Sequence, residues 1–434
     1  MKILLYSINY APELTGIGKY NAEMAEWLAA RGHQVSVVTA PPYYPQWQVH
    51  DGYHAGRYRR ETRAGVDVRR APLWVPRKPG GAKRLVHLAS FALSSLPSLL
   101  WAAAGRPDLI LVVEPALFCA PAAWLAARLS GARAWLHIQD YEVDAAFDLG
   151  LLKGARLRGL VQRAERWLMR RFDRVSTISR RMQDLALYKG IDPQRAVLLP
   201  NWIDVNAIAP DRAGNLRAEL GIPADAVVAL YSGNMGGKQG LLTLAQVARL
   251  LEHEPRLWFV FCGQGPERAP LQAQCEGLAR VRFLDLQPCE RLGALLNTAD
   301  IHLLPQRAGA ADLVMPSKLT GMLASGRPVV CGAARGTELA GVVAHCGLVT
   351  PPEDAAAMAE AVRKLANNAQ VRETLGTAAR RHALRYLHID AVLAAAEREF
   401  AAVVDPVTVP AAPSPASAAS AASAASAARR DTGR

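Results

Sequence analysis

Apolar and polar positions along the chain follow two alternating periods. Lys2 to Ile8 is a near-continuous apolar run, predicting a strand buried on both faces. From Ile17 to Arg31, Tyr20, Met24, Trp27 and Leu28 recur on one side at helical spacing and Gly32 stops the pattern; Val35 to Thr39 then reads as a second strand. Leu109 to Val113 and Ala134 to Ile138 repeat the strand pattern around a helix from about Cys119 to Ser130. After Leu199-Pro200-Asn201-Trp202-Ile203-Asp204 and a polar segment to Gly221 the same grammar restarts, with strands at Val227 to Ser232, Leu257 to Cys262, Val281 to Leu284, Ile301 to Leu304 and Pro328 to Cys331. Strands alternating with helices predict an α/β protein with two parallel sheets built from βαβ units. The boundaries expected are a first domain over 1–200, a second over 201–385 and a helix over 386–404. The last segment, 405–434, is Pro, Ala and Ser repeats that cannot bury enough apolar surface to fold alone, and is expected to be disordered.

A length of 434 residues suits two such cores, and 51% apolar with 21% charged residues is a globular composition. The six cysteines form no C-x-x-C pair and sit mostly in apolar runs, so they read as reduced thiols. The apolar start breaks at Asn9 and Tyr10 with no cleavage pattern behind it, which makes it a first strand rather than a signal peptide and predicts a cytoplasmic protein. A net charge of +13 calls for an anionic partner: nucleic acid, a membrane face or phosphorylated small molecules. Without an RNA-binding aromatic signature, zinc finger or basic arm, nucleic acid is not expected. Two segments point to a membrane surface. Leu85 to Ala104 is apolar but interrupted by His87, serines and Pro97, suiting a buried or interfacial helix better than a spanning one. Lys153 to Arg174 carries eight Lys and Arg residues interleaved with Leu160, Trp167 and Leu168, which reads as a solvated basic face or as a peripheral contact with anionic lipid.

Ligands of open α/β sheets sit at the carboxyl ends of the strands, so the loops there carry the candidate chemistry. Gly16 and Gly18, after the first strand, could let backbone approach a phosphate or sugar; the third glycine of a dinucleotide fingerprint is Asn21 instead, and a purely structural turn is the alternative. His137 ends its strand and is followed by Gln139, Asp140 and Glu142, a titratable cluster aimed at the presumed cleft. Ser232 to Gly240, with Gly233, Asn234 and Lys238, is a glycine-rich cradle with a lysine, but lacks the Walker pattern. Gly263 and Gly265 follow the next strand. Asp312-Leu313-Val314-Met315-Pro316-Ser317-Lys318-Leu319 is the most informative: a proline and serine open a helix beside a full positive charge, a natural seat for a pyrophosphate. No D-x-D, H-E-x-x-H, G-x-S-x-G or zinc spacing occurs, so neither a metal nor another cofactor is expected, and cations with helix dipoles stand where magnesium would.

These motifs, in this order and spacing, resemble the retaining glycosyltransferases of family 4, which have the GT-B fold. The similarity runs through Gly16-Ile17-Gly18, Leu199 to Asp204, Gly233 to Gly240, Phe261 to Glu267 and Pro316-Ser317-Lys318 to Gly326-Arg327-Pro328. Asn9-Tyr10-Ala11-Pro12-Glu13, His137-Ile138-Gln139-Asp140 and Met315 to Thr320 are similar to the branch acting on colanic acid and O-antigen. The resemblance implies two Rossmann-like domains facing across a cleft, with a C-terminal helix crossing back to the first. It implies a nucleoside diphosphate sugar as donor, fucose-type sugars, a polyprenyl-diphosphate-linked acceptor, contact with the anionic inner membrane, and retention by same-face attack without an enzyme nucleophile. Lys318, with the Ser317 backbone, would neutralise the diphosphate and Lys238 would assist; Gly16 and Gly18 would admit the donor; His137 and Asp140 would orient sugar or acceptor. Pro316 and Leu319 complete the donor segment. The chain departs from the family pattern at Asn234 and Gln239, where arginine and lysine are usual, and at Gly321, which stands for the second of two glutamates, with Asp312 only near the first. A sugar-nucleotide epimerase of similar shape and a non-catalytic membrane-surface protein with a degenerate site share these features.

Overall fold

The computed structural model describes residues 1–14, 16–77, 80–113, 116–141, 155–210, 214–308 and 315–405. The Ala/Ser/Pro segment from Pro406, Glu142 and Asp312 lie outside the described residues, as does the side chain of Lys238.

Two sheets organise the chain. The first contains β1 (Lys2–Tyr6), β2 (Gln34–Thr39), β3 (Arg59–Arg63), β4 (Val66–Arg70), β5 (Leu109–Val113), β6 (Arg133–Ile138), β7 (Arg174–Thr177) and β8 (Ala196–Leu198), in the order β3-β4-β2-β1-β5-β6-β7-β8. All neighbours are parallel except β3 and β4, an antiparallel pair at one edge. The second contains β9 (Val227–Ser232), β10 (Leu257–Cys262), β11 (Val281–Leu284), β12 (Ile301–Leu304), β13 (Val329–Gly332) and β14 (Gly347–Thr350), all parallel in the order β11-β10-β9-β12-β13-β14. β5 and β9 are buried at every position, as their unbroken apolar runs require once helices cover both sheet faces. This is the GT-B arrangement of two Rossmann-like halves.

Sequence periodicity does not show β3, β4, β7, β8 or β14. The charged β3 is held by pairing with β4, whose Val66, Val68 and Arg70 turn inward. Arg70 is buried because its guanidinium donates to the Ala40 and Ala11 carbonyls at 2.8 and 2.5 Å and pairs with Glu61. The charged residues of β3 also keep that sheet edge from pairing with another chain.

Leu85 to Ala104 forms parts of two helices, Gly81–Ser94 and Leu96–Ala104, that meet at Ser95. Together, 83–104 is long and apolar enough to cross a membrane by length and composition. Phe91, Leu99 and Ala103 are nonetheless buried in the core of the first sheet, while Leu93 and Trp101 face outward. The basic segment is helical over Ala155–Met169 and its last residue, Arg174, opens β7.

The chain crosses from the first sheet to the second once near Asn201 and returns near His388. The two crossings lie side by side: Ile203 N donates to Leu387 O at 2.8 Å and Ile389 N to Ile203 O at 3.1 Å. Beyond the return, the helix Ile389–Val404 sets Val392, Leu393, Ala396 and Phe400 into one apolar cluster with Ile3, Leu5, Val35 and Val37 of the first sheet. Phe400 meets Trp135 of β6 edge to face, with ring centroids 4.8 Å apart.

Candidate active site

The carboxyl ends of the two sheets face each other across a cavity of about 400 Å³. The first half contributes the loop after β1 (Leu14, Gly16, Ile17), the first turn of the helix Ile17–Ala30 (Lys19, Tyr20), Tyr44, Gln139, Asp140 and Asn201. The second contributes Ser232 at the end of β9 with Gly233 and Asn234 after it, Cys262 at the end of β10, Gln287 and Cys289 after β11, Pro305 and Gln306 after β12, and Met315 to Lys318. Side-chain contacts join the two halves, two of them at the cavity wall and one beside it. Tyr20 OH donates to Ser317 O at 3.4 Å, Asn234 Nδ2 to Tyr44 OH at 3.2 Å, and Gln46 Nε2 to Gln264 Oε1 at 3.1 Å.

Lys318 dominates the electrostatics. Its ammonium donates to the Tyr231 hydroxyl at 2.6 Å and lies over that ring, 4.3 Å from its centroid. The Tyr231 hydroxyl in turn donates to Asn234 O at 2.6 Å. No carboxylate among the described residues pairs with Lys318, and enclosure away from water lowers its pKa to about 7. Among the described residues lining the cavity, only Lys19 and Lys318 are cationic and only Asp140 is a carboxylate. Lys19 pairs with Glu23 at 2.9 Å, on the wall opposite Lys318. In the helix Lys318–Ala324, the Leu319 and Thr320 amides are taken by Pro316 O and Ser317 O. The Lys318 ammonium therefore matters more here than the helix end.

The residues singled out from sequence separate into wall and support. Gly16, Gly233, Asn234, Pro316, Ser317, Lys318 and Asp140 line the cavity. Gly16 and Gly233 have φ of 66° and 129°, left-handed conformations that favour glycine. A Cβ on Gly233 would lie 3.4 Å from the Lys318 stem, so the glycine also makes room for the lysine. Gly18 is buried and off the wall: its missing side chain is filled by Glu13, whose carboxylate accepts from Tyr43 N, Tyr44 N and Asn9 Nδ2. Gly263 and Gly265 also lie behind the wall, where any Cβ would run into the carbonyls of Gly233 and Met235. Leu319 is core. Lys238 lies in a single 3-10 turn, and Asp312 lies outside the described residues.

His137 sits one layer below the cavity. Burial lowers its pKa to about 4, so the ring is neutral at ordinary pH. With the ring proton on Nδ1, it donates to Ser176 Oγ at 2.8 Å, while the Gln139 amide donates to His137 Nε2 at 2.9 Å and to Asn201 Oδ1 at 3.2 Å. Both Gln139 N–H groups are thereby used, and the imidazole fixes the orientation of a side chain that does line the cavity. Sequence reasoning left out Lys19, Tyr20, Tyr44, Asn201, Gln287, Cys289 and Gln306. Apart from Asn201, which stands in the Leu199 to Asp204 motif, none belongs to a local motif, and only the facing of the two sheets brings them together. Gly321, on the wall, is 3.0 Å from Leu296 Cδ1 at its would-be Cβ, so a side chain there requires that methyl to give way by a few tenths of an ångström.

Comparison with known proteins agrees with this architecture. Residues 15–202 match the glycosyl transferase 4-like domain and residues 213–382 match the glycosyl transferases group 1 domain. The chain is 50% identical over 347 residues, 78% of its length and 85% of the relative's, to WcaI of Escherichia coli (strain K12), a glycosyl transferase assigned to colanic acid biosynthesis. Among solved structures, sucrose-phosphate synthase of Thermosynechococcus elongatus superposes with a TM-score of 0.72 at 17% identity, covering 92% of this chain and 98% of that one. HepE of Anabaena, solved with UDP and glucose, superposes with a TM-score of 0.67 at 16% identity over 92% and 99% of the two chains. A glycine-lined cavity between two nucleotide folds, two domain matches covering both halves and half-identity to a full-length relative place this chain in the glycosyltransferase family with a 4-like first domain and a group 1 second domain.

Proposed function

We propose that the protein transfers a sugar, of fucose type, from a nucleoside diphosphate to a lipid-linked surface-polysaccharide unit of the colanic acid or O-antigen kind, with retention and without a metal. The single observation that carries the donor assignment is Lys318, an enclosed ammonium with no carboxylate partner among the described residues, set at the floor of a cavity between two sheet ends. A diphosphate placed there restores the charge that burial disfavours and neutralises the leaving group as the glycosidic C–O bond breaks. The UDP in HepE and the colanic acid assignment of WcaI support the donor and product classes.

Retention needs the acceptor hydroxyl to attack the face from which the diphosphate departs. In this reading the departing phosphate oxygen takes the hydroxyl proton, the new C–O bond forms on the same face, and the enzyme contributes positioning and charge. Gln139, fixed by His137, and Asp140 stand on the acceptor-side wall and orient the attacking group.

The lipid-linked acceptor is proposed from the outer face of the first domain. The helix Ala116–Ser130 packs between the apolar pair 81–104 and the basic helix 155–169. Leu93, Trp101, Leu129 and Trp167 are more than half exposed there, and Arg171 stacks on Trp167 and Trp124 beside Arg163, Arg166 and Arg170. Exposed aromatic and apolar side chains among arginines suit the interface of an anionic membrane, on its cytoplasmic side. The deciding experiment is a thermal-shift screen with UDP- and GDP-sugars followed by product analysis. A stabilising donor whose sugar reaches an acceptor with the anomeric configuration kept is the expected result; no stabilisation by any nucleotide, or an isomerised donor alone, overturns it.

A further inference from the structure

The side chain of Gln306 is buried, 6% exposed, and lines the cavity, yet its Oε1 has no hydrogen-bond partner among the described residues. An orphaned buried amide oxygen is costly, because it gives up water without replacing it. Tyr10, His50, Asn297 and His302 also hold buried polar atoms without partners, but none of them lines the cavity. The orphan at Gln306 is therefore in a position where a bound molecule can meet it.

Its place in the sheet says which part of the molecule. β9 is central, and Gly233 at its end lies against Lys318, which marks the phosphate position. On the β10–β11 side of β9 the wall includes Cys262, Leu286 and Gln287, with Leu295 packed beside Cys262, a largely apolar surface suited to a nucleoside base. Gln306 follows β12, on the opposite side of β9. The diphosphate joins base and sugar in a nucleoside diphosphate sugar, so a donor bound in an extended form with its base on one side of the phosphates brings its sugar to the other, where Gln306 stands. Gln306 lies two residues beyond β12, and the glycines at 240 and 332 let backbone pass close to it: a Cβ on Gly240 would be 3.5 Å from its carbonyl carbon and one on Gly332 would be 3.7 Å from its nitrogen.

We infer that Gln306 is a donor-sugar specificity residue, whose Oε1 accepts a hydrogen bond from a hydroxyl or acylamino N–H of the transferred sugar. The inference rests on the transferase reading and adds the contact that reads the sugar. It requires that the wild-type protein bind the sugar nucleotide more selectively than the nucleotide alone.

The test compares wild type, Gln306→Leu and Gln306→Glu, each as the full chain. Calorimetric titration uses UDP against UDP-glucose and GDP against GDP-fucose, taking the pair that the wild type binds, and melting is followed without ligand. Gln306→Leu removes the orphan oxygen, so its unliganded Tm is expected to be equal to or above wild type. Its affinity for the nucleoside diphosphate is expected to stay within about 2-fold, while its affinity for the sugar nucleotide falls about 10- to 100-fold. Gln306→Glu, which keeps an acceptor, is expected to retain more sugar-nucleotide binding than the leucine variant. A lower unliganded Tm in Gln306→Leu, equal losses for nucleotide and sugar nucleotide, or no loss for either overturns the inference. Failure of the wild type to bind any of the four ligands overturns the transferase reading itself, which separates the two failures.

Discussion

A lysine enclosed beside a tyrosine and away from carboxylates makes ligand affinity a function of pH. In the free protein Lys318 titrates near 7, down from 10.5, because burial disfavours the ammonium. The folded pKa lies below the unfolded one, so the lysine's contribution to stability is largest above pH 10.5 and is lost as pH falls towards 7. A bound diphosphate reverses the preference and takes up a proton. Affinity for nucleoside diphosphate is thus expected to weaken as pH rises above 7, with a slope approaching about tenfold per unit until the bound-state pKa is reached. Titration calorimetry across that window checks it, and the slope should vanish in Lys318→Met. Turnover in Lys318→Ala is expected to drop by roughly one hundredfold, the scale of one transition-state donor; unchanged turnover would remove the lysine from the site. Gly263 works by its size, since a methyl there would overlap the Gly233 carbonyl at a φ of 153°. Gly263→Ala is expected to destabilise the second domain by on the order of 3 kcal/mol, read by denaturant unfolding.

Among the elements, those with continuous apolar runs were legible in the chain before folding, and those held by partners were not. β5, β9, β10 and β12 carry their burial in their own residues. β3 has no such signal, because Arg59 to Arg63 is a strand only when β4 pairs with it. The helix Ile389–Val404 shows an intermediate case: its apolar stripe is legible, and its destination in the first sheet followed from family resemblance rather than from the stripe itself. Phe400 is the knob of that contact, fully buried against Trp135. Phe400→Ala is expected to cost about 3–5 kcal/mol, lowering the unfolding midpoint of the half containing β1 to β8. The site divides in the same way. Gly16, Gly233 and Lys318 stand in motifs whose local chemistry declares them, whereas Gln306 and Lys19 acquire meaning only from what faces them across the cavity. His137 stands in a motif too, but its neighbours make it a support for Gln139.

For the whole molecule, the distribution of charge bears on the proposed membrane contact. The net charge of +13 is not spread evenly: arginines 163, 166, 170 and 171 line one shallow depression on the first domain, beside half-exposed Trp167. Replacing Arg166, Arg170 and Arg171 together by alanine is expected to abolish cosedimentation with phosphatidylglycerol vesicles while leaving thermal stabilisation by nucleotide unchanged. Vesicle binding that survives the triple replacement would move the membrane contact elsewhere.

The return of the last helix to the first sheet carries a consequence for the order of synthesis. Ribosomes release the β1 to β8 region long before residues 389–404 exist, so the face of Trp135 that Phe400 covers stays open while the entire second half is being made. The first domain is therefore completed last. A fragment ending near residue 200 should aggregate when expressed alone and become soluble when the segment 386–404 is supplied in the same cell.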